Sequence, residues 1–573
     1  MMEAPSRQRR HSEPGVESLD RQHISSAPMP PPPTSPRSAG TPNGNGLAPL
    51  PLKRQRTPQR YADWDDRPTR RPHTGEHGVP SDTACEKYPY YAAPCASRPL
   101  APWFPHEGQP ASFTKTRVNE YTLLDFNPML NTSSYVNVVF EPEEIDVANM
   151  GLRVNIADQT IYPGSFRLHN DTLNMVADLW HCPKPNSFEE YGCYPGAGTV
   201  GSTEACILAG LALKFRWRKW YGERHGLSPT EARRVYPNLV ISTCFQACWE
   251  KFFRYMDVEP NFVSPSVHSF KLDPKAVAAA VNERTIGVVA ILGNHYGGQY
   301  DPVASIGAAL AEVNEREDWQ IGIHVDAASG GFVAPFQSGV PVWDFRVPQV
   351  LSISASGHKF GESCCGTGWV VWRDREDLSE HVACNVSYLG GKAESFTLNF
   401  SRPASGLFVQ FFKFLRLGRE GYTLLTSNQM STAAFLRSGL SEMRHQAGSQ
   451  LFEIIDDGEF NCLPVVAARF NPALSLPFDA IDLQHVLSER HWYVSGYRMR
   501  LHHPIDGTTG PLFCDEEADT TMFRIVVKSN LTRALAGDLL ESIENAVSFL
   551  FKVGAGYAQM HSQRAIKTHN APC

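Results

Sequence analysis

The sequence predicts an α/β protein: a large domain on a mostly parallel sheet, followed by a small C-terminal α+β domain. Three observations predict it. Between about residues 121 and 435, short β-branched runs alternate with amphipathic stretches of helical period. The runs are apolar throughout rather than alternating, as strands covered on both faces require. Beyond that region a few strand-like runs mix with two helical ones, which marks a separate α+β unit.

Taken in order, residues 238–242 (NLVIS), 286–292 (IGVVAIL), 321–325 (IGIHV) and 350–353 (VLSI) read as buried parallel strands. Residues 274–282 and 303–314 read as helices between them. In the small domain, 465–470 and 523–527 read as strands, and 481–489 and 533–551 as helices. The first 110 residues are rich in Pro, Ser, Gly and Arg and poor in apolar clusters. Such a segment cannot offset its ordering entropy and reads as disordered. The expected organisation is an extension at 1–110, an N-terminal segment at 111–165, a large domain at 166–440, a small domain at 441–553 and a polar tail at 554–573. Within the extension, Lys53-Arg54-Gln55-Arg56 reads as a solvated charge run.

Composition narrows the function classes. The chain has 573 residues, 42% of them hydrophobic, and a formal net charge of -7. That gives a large core and no basic excess for nucleic acid or an anionic membrane. No apolar run approaches the roughly 20 residues of a membrane span. The first 12 residues hold no apolar signal-peptide core, so a cytoplasmic protein is expected. The 13 cysteines are scattered without a CxxC pair, as free thiols in a reducing compartment would be. Cys244 and Cys248 read as two thiols near one helix face, and no metal is expected.

Four features in a fixed order carry chemistry. Gly196-Ala197-Gly198-Thr199-Val200-Gly201-Ser202-Thr203 leads glycines into hydroxyls before an apolar helix expected over 205–215, a setting whose free N–H groups favour a phosphate. It is not a P-loop, since no Gly-Lys-Ser/Thr follows. Gln246, just past a strand, is placed to stack on a planar ring. Asp326, in His324-Val325-Asp326-Ala327-Ala328, ends an apolar strand, where an acid is costly to bury without a partner; small Ala328 leaves room beneath a flat ring. Lys359, in Ser356-Gly357-His358-Lys359, follows a strand at the carboxyl end, where α/β sheets bind ligands. Partial burial and a neighbouring cation favour its neutral, nucleophilic amine.

Each feature alone has an ordinary reading: a helix start, a buried glutamine, a turn-capping acid, an exposed lysine. Together they meet one chemical need. Breaking a Cα–carboxylate bond leaves a carbanion that a protonated pyridine ring can delocalise. Such a ring needs a lysine for its aldehyde carbon, an acid for its nitrogen, a phosphate cradle and a cover on each face.

From about residue 121 to 551 the chain resembles the glutamate decarboxylases of bacteria, plants and fungi. The resemblance lies in Asn174-Met175-Val176-Ala177-Asp178-Leu179-Trp180-His181, the blocks around Asp326 and Lys359, Val342-Trp343-Asp344-Phe345-Arg346, Asn399-Phe400-Ser401-Arg402-Pro403 and Leu415-Arg416-Leu417-Gly418-Arg419-Glu420-Gly421-Tyr422. It implies fold-type I, pyridoxal 5'-phosphate as cofactor, and L-glutamate converted to 4-aminobutyrate and carbon dioxide. It implies Lys359 as the lysine that bonds the cofactor, Asp326 at the ring nitrogen, and Gln246 and Ala328 against the ring. His358 is implied near the phosphate and the departing carboxylate, and Ser202, Thr203 and Ser356 at the phosphate. Ser401 is implied to reach the phosphate from the adjacent subunit. For the substrate it implies Arg524, with Ser134 and Asp158 from the partner subunit. Such shared sites imply an obligate dimer, with a homodimer or a hexamer both left open as the final assembly.

The chain departs from the family pattern at His295, where a hydroxyl residue is common, at Thr132-Ser133 and Tyr135, and at Glu362, Cys364 and Cys365. The tail lacks the Trp-plus-Lys cluster of the plant extension, so no calmodulin partner is expected; His569 matches a bacterial tail histidine that can plug the site. The residues leave open two other readings: a decarboxylase for aspartate or cysteine sulfinate, and a catalytically silent scaffold.

Overall fold

A computed structural model describes residues 88–93, 96, 104–105, 108–186, 188–380, 382–386, 393–456, 462–515, 520–554 and 557. The charge run at 53–56, most of the extension, and His569 lie outside the described residues. The chain divides into two units, 1–106 and 107–573. In the first, a 3-10 turn spans Tyr90–Ala92. All that follows concerns the second.

Its main sheet has seven strands: β1 (Gly196–Thr199), β2 (Asn238–Ser242), β3 (Glu259–Val263), β4 (Thr285–Ile291), β5 (Ile323–Asp326), β6 (Val350–Ala355) and β7 (Gly368–Trp372). Their spatial order is β1-β7-β6-β5-β4-β2-β3. Strands β3, β2, β4, β5 and β6 run parallel, and β7 runs antiparallel to both β6 and β1. All residues of β2, β4, β5, β6 and β7 are buried, which explains their unbroken apolar runs. The four parallel strands expected from the sequence are present within two residues at each end. The helices between them span Pro274–Ala280 and Val303–Glu317.

Two features differ from expectation. The stretch 196–199, read as a glycine lead-in to a helix, is an edge strand, because its glycines let it lie close to its neighbours. A Cβ on Gly196 would meet Leu173 at 2.7 Å, and one on Gly198 would meet the ring carbons of Trp369 and His169 at 3.3 Å. The following helix begins at Gly201, not 205, and runs to His225. Glu204 in its first turn accepts the Val200 N–H at 2.6 Å, which fixes the turn.

A second sheet, all antiparallel, orders Phe452–Ile454, Val465–Phe470, Thr521–Val526 and Ser495–Arg498 side by side. Helices Ala480–Ser488 and Arg533–Val553 bury one face of it. Period-two alternation sends Phe523 and Ile525 into that core and leaves Met522, Arg524 and Val526 on the opposite face. The helical stretch Ser405–Glu442 joins the two regions and is interrupted at Gly418, whose φ of 57° is not helical. No helix among the described residues is long and apolar enough to cross a membrane.

Phe523 is fully buried, with its ring 5.2 Å from that of Phe452. Phe523→Ala should cost about 3–5 kcal/mol, measured as a drop in the urea midpoint at unchanged slope.

Candidate active site

Four connections leave the carboxyl ends of β2, β4, β5 and β6 at one edge of the sheet. They carry Gln246, His295, Asp326 with Ala328, and Ser356 with His358 and Lys359. Open α/β sheets bind ligands at this edge. The sequence-predicted residues that the structure brings together here come from positions more than a hundred apart.

Asp326 is buried at the end of β5. Its Oδ1 accepts the Ala328 N–H at 3.1 Å, and its Oδ2 accepts the Trp249 indole N–H at 2.8 Å. His324, two residues earlier on the same strand, lies between the hydroxyls of Ser352 and Ser354, at 2.8 and 3.1 Å. Burial pushes it down to about 4, so it stays neutral. Cys206, Cys248 and Asp326 place their ligand atoms within 4.8 Å of one another. The expected pairing of Cys244 and Cys248 on a helix face is corrected: Cys244 precedes the helix Ala247–Met256.

Lys359 Nζ donates to Ser329 Oγ at 3.0 Å and lies 5.1 Å from the centre of the Tyr135 ring. Burial lowers its basicity, and the Asp326 charge opposes that shift. His358 Nδ1 must donate to the Thr367 carbonyl at 2.8 Å, which leaves Nε2 with a free lone pair. Burial and the neighbouring Lys359 push this ring down to about 4. Gly357 makes the turn possible: an added Cβ would collide with Gln410 Oε1 and meet Thr367 Cγ2 at 2.9 Å.

At the start of the helix Gly201–His225, Ser202 Oγ accepts from Ser356 Oγ at 2.7 Å, so the cradle and the lysine turn share a bond. Ser202 is buried and Thr203 half-buried beside it. Gly201 has φ 73°, and a Cβ there would sit 3.2 Å from His358 Cε1. Gln246 is half-buried and serves as N-cap residue of the helix Ala247–Met256.

Arg524 reaches the same region from the second sheet. Its guanidinium lies 4.8 Å from the centre of the Tyr135 ring and 5.8 Å from that of Tyr497. It donates to the carbonyls of His295 and of Ser133, the latter at 2.8 Å. Its Nε and the Nδ1 of His295 are buried with no protein partner. Burial, Arg524 and Lys359 push the His295 ring down to about 3, so it is neutral.

Segment 131–137 lies beside Arg524 and Lys359 of its own chain. Thr132 bonds to Tyr493 and Val526, Tyr135 Oη to the His295 carbonyl, and the Asn137 N–H to the His358 carbonyl. The expectation that Ser134 comes from a partner subunit is therefore corrected, because this backbone ladder anchors it in cis. Ser134 itself accepts the Val136 N–H at 3.2 Å. Asp158 and Ser401 sit elsewhere, together. Asn155 bonds to Ser401 Oγ at 3.4 Å, Asp158 accepts the Ile161 N–H, and Ser401 is exposed. Glu204 joins that loop to the cradle by accepting the Asn399 N–H at 2.8 Å.

The donor set fits pyridoxal phosphate. It offers a partly buried lysine, a strand-end carboxylate, hydroxyls and N–H groups at a helix start, and two orphaned buried nitrogens facing the same region. Fold and site together define a pyridoxal-phosphate enzyme. The Pyridoxal-dependent decarboxylase conserved domain matches residues 147–466, and the chain belongs to that family. It is 38% identical to glutamate decarboxylase beta of Listeria monocytogenes over 64% of this chain and 75% of that protein. It is 34% identical to glutamate decarboxylase of Lactococcus lactis over 79% of this chain and 90% of that protein. The glutamate decarboxylase structure from Lactobacillus brevis superposes with a TM-score of 0.72 at 32% identity, covering 81% of this chain and 98% of that one.

Trp249, Tyr135 and His295 are site residues whose roles the sequence reading missed or gave only as departures. Trp249 was detectable: three residues after Gln246 on a helix, it shares that residue's face.

Glu362, three residues past Lys359, is buried with φ 62°. It accepts from Ser529 Oγ at 3.1 Å, and the Lys413–Glu144 ion pair and Lys528 lie around it. Burial raises it to about 7, and burial lowers Lys528 to about 8. A raised carboxyl favours the folded state below its ordinary value and loses that contribution as pH rises through about 7. Glu362→Gln removes the titration. Between pH 5 and 8 the wild type should lose on the order of 2–3 kcal/mol relative to the variant. Paired thermal melts across that range check it; a constant difference would show that Glu362 does not titrate there.

Proposed function

We propose that the chain decarboxylates L-glutamate to 4-aminobutyrate and carbon dioxide. One observation carries the reading: the Tyr135 ring stands beside both the Lys359 amine and the Arg524 guanidinium, 5.1 and 4.8 Å from its centre. An amine-reactive group and a carboxylate-binding fork side by side suit a short diacid with an α-amine. The relatives named for glutamate decarboxylation support the same substrate.

In this reading Lys359 holds the cofactor aldehyde carbon, Asp326 meets the ring nitrogen, and Gln246 and Ala328 cover the ring faces. Ser202, Thr203 and Ser356 hold the phosphate at the helix start. When bound, the cofactor supplies a protonated ring that takes up the electron pair left by the departing carboxylate. Arg524 receives the side-chain carboxylate on its Nε and the adjacent free N–H, with Ser134 beside it. His358, a neutral ring oriented by its bond to the Thr367 carbonyl, stands next to the phosphate and the α-carboxylate. Lys359 Nζ, with its basicity lowered, exchanges a proton near neutral pH more readily than an exposed lysine does.

The chain acts as a homodimer, with Asp158 and Ser401 completing the site of the second copy. Supporting this are the exposure of Ser401 and an apolar groove of about 760 Å³ lined by Met150, Leu168, Phe408, Phe411, Phe412 and Leu415. Leu123, Leu124 and Leu415 are also exposed. We place the protein in the cytoplasm, where the free thiols described here would persist. The large and small domains divide near residue 440, at the end of the helix Ser405–Glu442.

Lys359→Ala should abolish 4-aminobutyrate release, and retained turnover would refute the assignment. Arg524→Lys should raise KM for glutamate at least about tenfold, because a lysine cannot reproduce the bidentate fork. Glutamate should exceed aspartate in kcat/KM by about 10–200-fold, the range one methylene allows; a preference for aspartate would replace the substrate.

A further inference from the structure

We propose that Trp249 is a positioning residue for Asp326, and that its indole N–H keeps the shared proton on the cofactor's ring nitrogen rather than on the carboxylate. The proposal rests on the role assigned above to Asp326. Its basis is how the acid is held. Each carboxylate oxygen has one fixed N–H donor, Ala328 N on Oδ1 at 3.1 Å and Trp249 Nε1 on Oδ2 at 2.8 Å. Oδ2 also accepts a weak bond from the Cys248 thiol at 4.0 Å; an sp² carboxylate oxygen has two lone pairs, so Oδ1 keeps one for a further donor.

The indole is suited to this task. Its N–H donates and never accepts, and it brings no titrating proton. Hydrogen bonds to a carboxylate favour its charged form. An acid satisfied in this way competes weakly for the ring proton. Trp249 is fully buried and cannot drift: its ring packs 5.6 Å from Phe252 and 5.6 Å from His324. The groups facing the acid are the His324 ring, the Cys206 and Cys248 thiols and the Lys359 amine. His324 is neutral, and burial keeps the Cys206 thiol protonated. The helix start that fixes Trp249 also fixes Gln246, through the Trp249 N–H to Gln246 carbonyl bond at 2.9 Å. One helical turn thus sets both the ring cover and the acid's partner.

The test uses holoenzyme reconstituted with pyridoxal phosphate labelled with ¹⁵N in the ring. In the wild type the ¹⁵N resonance should have the pyridinium value. In Trp249→Phe it should move toward the neutral-pyridine value, and the cofactor Kd should rise about tenfold or more, as loss of a hydrogen bond to a charged group predicts. If Trp249→Phe does not fold, 3-benzothienylalanine at 249 keeps the ring shape, replaces the N–H by sulfur, and should give the same shift. A pyridinium resonance unmoved in the folded variant overturns the role of Trp249 and leaves Asp326 in place. A neutral-pyridine resonance in the wild type overturns the Asp326 assignment and this proposal with it.

Discussion

The Asp326 carboxylate is 2% exposed at the end of a strand whose every residue is buried. A charge there is tolerable when it is fully hydrogen-bonded, and much of the surrounding architecture meets that condition. β5 lies between β4 and β6, so the acid faces the turns that follow both. The helix after β2 brings Trp249, the turn after β5 returns the Ala328 N–H, and the turn after β6 brings Lys359. The sheet edge is the one place where all of these can converge on a single ring-sized space.

The same region keeps its histidines uncharged. Burial pushes His295, His324 and His358 to about 3 or 4, helped by nearby cations at His295 and His358. The positive charge of the site then rests chiefly with Arg524. Charge is thus concentrated at a specific point rather than spread over several rings.

The parallel strands, the lysine turn and the strand-end acid were legible in the sequence, because unbroken apolar runs ending in Asp326 and Ser354–Ser356 leave little freedom. Arg524 was legible only through resemblance; its alternation with Phe523 and Ile525 is what the structure adds. β1 was not, since Gly-Ala-Gly-Thr has low strand propensity and is held there by its antiparallel pairing with β7. The reversal of β7 was not legible either: the run Gly368–Trp372 looks like its parallel neighbours, and direction comes from the connection, which carries Lys359 and has no helix to cross over. Ser134 was assigned to the wrong subunit because a pattern match identifies a residue but not the chain that folds around it. The ladder from Thr132 to Asn137 decides that.

That ladder has a geometrical consequence. At one end Thr132 accepts from Val526, beside Arg524 on the second sheet; at the other Asn137 donates to the carbonyl of His358, beside Lys359 on the first. Segment 132–137 is a strut of fixed length between the turn that carries Lys359 and the strand that carries Arg524. The separation of the two sheets at this point is therefore set by backbone hydrogen bonds as well as by the packing of side chains.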